Sequence, residues 1–267
     1  VGVELAQAWS SLGSTVTLVE GRRLLSREEE FAADEVEAAL RDAGVDVRLG
    51  ARVERVVRGT PGGEVSAELD DGSQIAADEL LVALGREPRT SDIGLSSVGL
   101  DDGGPIAVDD HLQAEGHPWL YAIGDANGRA PLTHQGKEHG RCAADHILGR
   151  PNAAPLIDEA RSPRVVFTEP QVASVGLTLE AARIAGLNVS CADADVNDTA
   201  GSSFAGPGVP GRARIVVDED RRVLVGATFT GAAVDGLLHG ATIAIVGEVP
   251  VERLWHAVPA FPTRSEV

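Results

Sequence analysis

The chain has 267 residues, 43% of them hydrophobic, and a formal charge of −18. That length supports one or two domains with a sizeable core, and the negative field argues against nucleic acid or anionic lipid as partners. No apolar run reaches the about 18 residues that a membrane span needs.

Val1–Leu5 already reads as helix, so no signal peptide is expected, and the expected compartment is the cytoplasm. Met is absent even at position 1, which leads us to expect that the natural N-terminus lies elsewhere. Cys142 and Cys191 are expected to be free thiols in a reducing compartment, because neither sits in a Cys-x-x-Cys frame and no zinc or iron–sulfur spacing occurs.

The first elements alternate helix and strand. Gly2–Leu12 has apolar residues at helical spacing and is closed by Gly13. Ser14–Glu20 is rich in β-branched residues and fits a buried parallel strand. Glu28–Ala43 reads as a second helix with Phe31, Val36 and Leu40 on one face and Gly44 as its stop, and Val45–Leu49 as the next strand. Asp71-Gly72 marks a hairpin within 64–77, and Leu80–Arg86 reads as a further buried strand. This order predicts a parallel sheet with right-handed crossovers, an α/β unit of the Rossmann type.

A Gly-, Pro- and Ser-rich break at 86–97 precedes an apolar strand, Leu120–Asp125, and a helix from about Thr133 to Leu148. Pro151–Pro155 reads as a linker. Beyond it, strands Arg164–Thr168, Ala213–Asp218 and Val223–Thr230 interleave with helices Thr178–Ala185 and Val234–Val246, an α+β pattern. The expected domains are therefore 1–86, 87–155 and 156–267.

Two places carry chemistry. Gly2 fits the third glycine of a G-x-G-x-x-G loop, the one that lets helix and strand pack closely, and Glu20 ends the next strand, where a carboxylate can accept from both adenine-ribose hydroxyls and repel a 2′-phosphate. An ordinary solvated carboxylate is the competing reading, and Arg22 and Arg23 could instead accept a 2′-phosphate. Gly124-Asp125 closes the 120–125 segment just before a helix whose N-terminal amides favour negative charge, so Asp125 suits either a ribose or ribityl hydroxyl or a simple N-cap.

Several motifs in one order resemble the pyridine nucleotide-disulfide oxidoreductase family, which includes dihydrolipoamide dehydrogenase. Val3-Glu-Leu-Ala, Val19–Leu25 and Leu81–Pro88 resemble its NAD domain, Tyr121–Asp125 with Leu132–Lys137 its second FAD motif, and Phe167–Gly176 the start of its interface domain. The resemblance covers essentially all 267 residues and implies the C-terminal part of a longer flavoprotein, with the family's first FAD loop and redox cysteine pair lying before Val1. It implies FAD and NAD(P)H as cofactors, NADH favoured through Glu20, and a homodimer through 156–267. It places Gly2, Glu4, Glu20 and Gly85 at the NAD site, with Glu4 beside the nicotinamide and flavin N5. Gly124, Asp125, Leu132 and Thr133 fall at the FAD site.

The family's disulfide reductases carry His-Pro-Thr-x-Ser-Glu, in which the His is the acid/base. This chain reads Phe261-Pro-Thr-Arg-Ser-Glu266, so Glu266 matches and the His position is Phe261. His256 is expected to pack beside Trp255. His134 is expected to serve the helix start, and His139, His146 and His239 are expected to be structural or solvated. The expected function is hydride transfer from NAD(P)H to FAD and on to a quinone-like or other small acceptor. A dihydrolipoamide or related disulfide reductase and a non-catalytic nucleotide-binding module are the alternatives.

Overall fold

The computed structural model describes residues 1–151, 157–205 and 211–267. Helix α1 (Gly2–Ser11) leads into strand β1 (Thr17–Glu20), helix α2 (Glu30–Asp42) and strand β2 (Asp46–Leu49), and β1 pairs with β2 in parallel. Both helices end as their glycines dictate. Gly13 (φ +95°) and Gly44 (φ +82°) take left-handed backbone, and their amides and the following ones fold back onto carbonyls of the last turn: Gly44 N–H to Arg41 at 2.9 Å and Val45 N–H to Leu40 at 3.0 Å.

The expected face of α2 is the buried one: Phe31, Val36 and Leu40, joined by Ala32 and Ala33. With Val3, Ala6, Leu24, Val45, Val47 and Val172 most of this face forms one core. Each large apolar side chain buried there contributes about 1.5–3 kcal/mol.

The hairpin around Asp71-Gly72 is present and gains a partner. Strands β3 (Val53–Arg58), β4 (Val65–Leu69) and β5 (Gln74–Ala77) form an antiparallel sheet, the turn pinned by Ser73 N–H donating to Asp71 Oδ1 at 2.8 Å. The expected strand at 80–86 does not form. Leu80, Leu81, Val82 and Leu84 are exposed and no ladder includes them. A central parallel strand is buried only between two neighbours and under a helix layer, and among the described residues nothing pairs with this segment.

A second expected strand, Leu120–Asp125, is also absent. Tyr121 makes a single bridge to Gln113, and Gly124 (φ +63°) turns the chain into a 3-10 turn, Gly124–Asn127. Helix α3 (Thr133–Ile147) follows as expected. Ala122 packs with Leu95, Ile106 and Ala114 in a small core of its own. Beyond Pro151, the expected linker lies outside the described residues.

The remainder is a five-stranded antiparallel sheet. Its members are β6 (Arg164–Val166), β7 (Gln171–Gly176), β8 (Val189–Asp195), β9 (Arg212–Asp218) and β10 (Val223–Gly231), in the order β6-β7-β10-β9-β8. Helices α4 (Leu179–Ile184), α5 (Asp235–Val246) and the single turn α6 (Val251–Leu254) accompany it. Gly226 sits opposite Gly176 at a bulge in β10, and a Cβ on Gly226 would run into the Leu177 carbonyl. Leu238 and Ala244 of α5 are buried, whereas Ile243 and Val246 face outward. No helix among the described residues is long and apolar enough to cross a membrane. By compactness the chain divides into two units, Val1–Ala83 with Pro163–Val267, and Leu84–Ser162.

Candidate functional site

The first group of site residues belongs to the α1–β1–α2 portion. A Cβ on Gly2 would meet the Ala83 side chain at 3.4 Å, so α1 passes close to the 83 segment. Glu4, in the first turn of α1, accepts at Oε1 from the Phe167 amide at 2.9 Å, a bond that favours the charged carboxylate. One turn on, Gln7 donates to the Glu169 carbonyl at 3.0 Å and accepts from the Glu169 amide at 2.8 Å. Two polar side chains of α1 thus do for the 167–169 segment what a neighbouring strand would.

Glu20 ends β1, half-buried, with Oε1 accepting from the Arg22 amide at 3.0 Å. The two arginines beside it differ. Arg23 is occupied, donating to the Glu28 carbonyl at 3.2 Å, whereas Arg22 is exposed. Arg52, which the sequence gave no reason to single out, lies against Gly21, its Nε 3.2 Å from where a Cβ there would stand.

The second group belongs to the 84–162 unit. Gly85 has φ +111°. In the Gly124–Asn127 turn, Gly124 and Gly136 of α3 approach so closely that a Cβ on either would stand 3.3–3.5 Å from the other's Cα. Asp125 is exposed, and among the described residues its carboxylate makes no hydrogen bond or ion pair. Leu132 caps α3 without a side-chain bond, and Thr133 begins the helix, exposed. A turn packed closely on α3 through two glycines, a free carboxylate and a helix start without a side-chain cap fit the polyhydroxyl part of a flavin dinucleotide. His139 is fully buried beneath this turn and accepts from the Gly124 amide at 3.1 Å, a partner that its lone position on a helix did not disclose. His146 stacks on His111 at 4.3 Å and meets the Tyr121 hydroxyl at 3.0 Å, and His239 is exposed on α5. A cavity of about 530 Å³ elsewhere in this unit is lined by residues such as Val108, Gln113 and His117 and includes none of these groups.

At the C-terminal motif, Thr263 caps a 3-10 turn, Arg264–Glu266, and the Glu266 carboxylate accepts back from the Thr263 amide at 3.2 Å, a reciprocal capping box. One Glu266 oxygen thereby serves local structure, and Phe261 points its ring outward, 77% exposed. His256 and Trp255 are both exposed, so the expected packing of one on the other does not occur. Each lies in the segment after α6, where no further element covers it. Cys142 is half-buried on α3 and Cys191 is exposed on β8, both free.

Residues 1–140 match the pyridine nucleotide-disulphide oxidoreductase family, and residues 162–267 match that family's dimerisation domain. Among curated relatives, the chain is 33% identical to a dihydrolipoyl dehydrogenase of Thermus scotoductus and 32% identical to one of Mycobacterium leprae, in each case over 100% of this chain. It spans 58% and 57% of their lengths. Among solved structures, LpdA of Mycobacterium tuberculosis superposes with a TM-score of 0.87 at 25% identity, covering 99% of this chain and 57% of that one. The HOCl-induced flavoprotein disulfide reductase RclA of Escherichia coli, as its Cu(II) complex, gives 0.83 at 26%, covering 99% and 59%. The chain belongs to the pyridine nucleotide-disulphide oxidoreductase family.

Proposed function

We propose that this chain is the nicotinamide-binding, partial flavin-binding and dimer-forming portion of a cytoplasmic, FAD-dependent NAD(P)H oxidoreductase that delivers electrons to a quinone-like small acceptor. Residues 1–86 serve the nicotinamide dinucleotide, 87–155 contribute to the flavin site, and 156–267 form the subunit interface. The flavin, when bound, accepts hydride from the reduced nicotinamide and releases electrons to the acceptor. Glu20 receives the adenine-ribose hydroxyls and disfavours a 2′-phosphate, so NADH is the preferred donor. Gly2 lets α1 approach closely, and Glu4 and Gly85 line the nicotinamide end. Gly124 and Asp125 hold the flavin's sugar-alcohol chain, with Leu132 and Thr133 at its edge.

A homodimer is supported by the match to a dimerisation domain. The same region leaves Ile243, Val246, Trp255, Val258 and Phe261 exposed.

The observation that carries the choice of acceptor is Phe261. Releasing a dithiol requires a proton delivered to a thiolate, a task that suits an imidazole and contributes about 10²–10⁴ in rate. Phe261 has no proton to give, and Glu266 has no imidazole at that position to orient. Hydride transfer to flavin and electron release to a quinone need no such acid. The names of the curated relatives favour a second reading, dihydrolipoamide oxidation or reduction. Steady-state assays of the intact protein with NADH and either lipoamide or a benzoquinone separate the two. The expected result is quinone turnover well above lipoamide turnover. Lipoamide turnover equal to or above the quinone rate refutes the proposal, and loss of that turnover in His256→Ala would move the acid/base role to His256.

A further inference from the structure

We infer that His139 is a positioning residue for the flavin-binding turn, accepting the first amide of Gly124–Asn127 and so fixing the turn that presents the Asp125 carboxylate to ligand. The inference rests on the reading of Gly124-Asp125 as part of the flavin site.

A short helical turn begins with amides that have no partner inside it, and a local Asp, Asn, Ser or Thr side chain commonly supplies the acceptor. Here Ile123 stands at the cap position and supplies none. The acceptor comes instead from α3, fifteen residues away: His139 Nδ1 receives the Gly124 amide at 3.1 Å and lies 3.3 Å from Asn127 Nδ2. Asn127 ties the far end of the turn, donating to the Ala122 carbonyl at 3.0 Å and accepting from the Arg129 amide at 3.0 Å. The turn is therefore clamped at both ends by groups that are not ligands. The Asp125 side chain, between these two ends, is exposed and uncommitted.

The arrangement also fixes the state of the imidazole. An amide that donates to Nδ1 requires that nitrogen to be unprotonated, which puts the proton on Nε2. Nε2 faces the Asp158 carboxylate at 3.6 Å, and both side chains are completely buried. Asp158 does not need a charged histidine, because Arg129 already neutralises it, Nε to Oδ2 at 2.6 Å and Nη2 to Oδ1 at 3.2 Å. Burial accordingly holds the His139 pKa below its ordinary value, and the ring stays a neutral acceptor.

Without that acceptor, the Gly124 amide is left part-buried and unpaired, and the turn that presents Asp125 loses the bond that fixes its first residue. The test compares three variants of the intact protein. In His139→Asn, the amide oxygen stands about where Nδ1 stood. In His139→Gln, the amide reaches toward Asp158 instead. His139→Leu has no acceptor. Two quantities are read: the dissociation constant for FAD, by titrating the apoprotein and following flavin fluorescence, and hydrogen exchange of the 122–128 backbone in the apoprotein. The expected result is that Asn keeps wild-type FAD affinity and Gly124 protection, while Leu and Gln weaken FAD about tenfold or more and speed exchange locally. Wild-type affinity and protection in His139→Leu, or equal behaviour of Asn and Gln, overturns the inference. Failure of the wild-type protein to bind FAD at all would instead bring down the flavin reading of the turn, and this inference with it.

Discussion

Glu28 and Glu29 stand just before helix α2, and replacing Glu28 by Gln tests how the α1–β1–α2 portion is fastened to the five-stranded sheet. Glu28 is 6% exposed. Its Oε1 takes Arg164 Nε at 2.5 Å, and its Oε2 takes Arg164 Nη2 at 3.0 Å and the Ser174 hydroxyl at 2.7 Å. These contacts join the start of α2 to β6 and β7 across 136 and 146 residues of sequence. Breaking a buried ion pair by neutralising one member costs about 3–5 kcal/mol. The low end applies, because a glutamine keeps one accepting oxygen and Ser174 can rotate to accept from its amide. At about 2–4 °C per kcal/mol for a domain of this size, a loss of about 3 kcal/mol lowers Tm by about 6–12 °C. Asp193→Asn is the control. Asp193 also makes a two-pronged pair with Arg214, at 2.7 and 2.8 Å, but its side chain is 40% exposed and Arg214 retains Glu29 at 3.0 Å. Solvent screening and the remaining partner limit that loss to about 1 kcal/mol or less. Thermal unfolding of the intact protein, followed by circular dichroism, reads both. If Glu28→Gln melts within about 2 °C of wild type, or Asp193→Asn costs as much as Glu28→Gln, then burial does not decide the worth of these pairs and the reasoning fails.

Nucleotide choice follows from Glu20. The wild-type protein should show a higher kcat/KM with NADH than with NADPH, and Glu20→Ser should narrow the gap about tenfold, because removing the carboxylate removes its repulsion of a 2′-phosphate while Arg22 remains exposed nearby; a wild-type preference for NADPH would show that the arginines win. Acid should loosen the flavin-side turn. Burial depresses the folded-state pKa of His139 below the ordinary 6.5, with Asp158 and Glu138 opposing and Arg129 assisting, so the unfolded chain binds the proton first as pH falls. The neutral imidazole's contribution is then fully present above about pH 6.5 and lost progressively below it. Melting curves from pH 7.5 to 5 should show a decline that His139→Asn reduces, and an unchanged slope in that variant would count against the assignment.

What the sequence disclosed and what it hid divide along a physical line. Helices were legible because their signals are local: the spacing of Phe31, Val36 and Leu40, and glycines at 13 and 44 that alone accept the left-handed turn closing each helix. The strands at 80–86 and 120–125 were misread for the converse reason. Leu-Leu-Val and Tyr-Ala-Ile have strand character, but a strand exists only through a ladder, and whether one is present is a property of residues far away. Strand β8 was missed because Val-Ser-Cys-Ala-Asp-Ala-Asp is an edge strand with six of its seven residues exposed, so no apolar alternation betrays it.

The same distinction governs the site. Gly2, Glu20 and Gly124-Asp125 stand out as candidates because each occupies a fixed place in a local turn, strand end or helix start. His139 does not, since its meaning lies in an amide fifteen residues away and a carboxylate nineteen residues on. The Arg27-Glu28-Glu29-Glu30 run misleads in the same manner: it has the composition of a solvated helix start, yet Glu28 and Glu29 are among the most buried carboxylates of the chain, because Arg164 and Arg214 arrive from the sheet to meet them. A charge's composition says what it costs to bury; only its partner, supplied by the fold, says whether that cost is offset. Phe261 is the instructive opposite. Its chemistry is decided by what it lacks, a transferable proton, and no neighbour that the fold brings near can supply one through a benzyl ring.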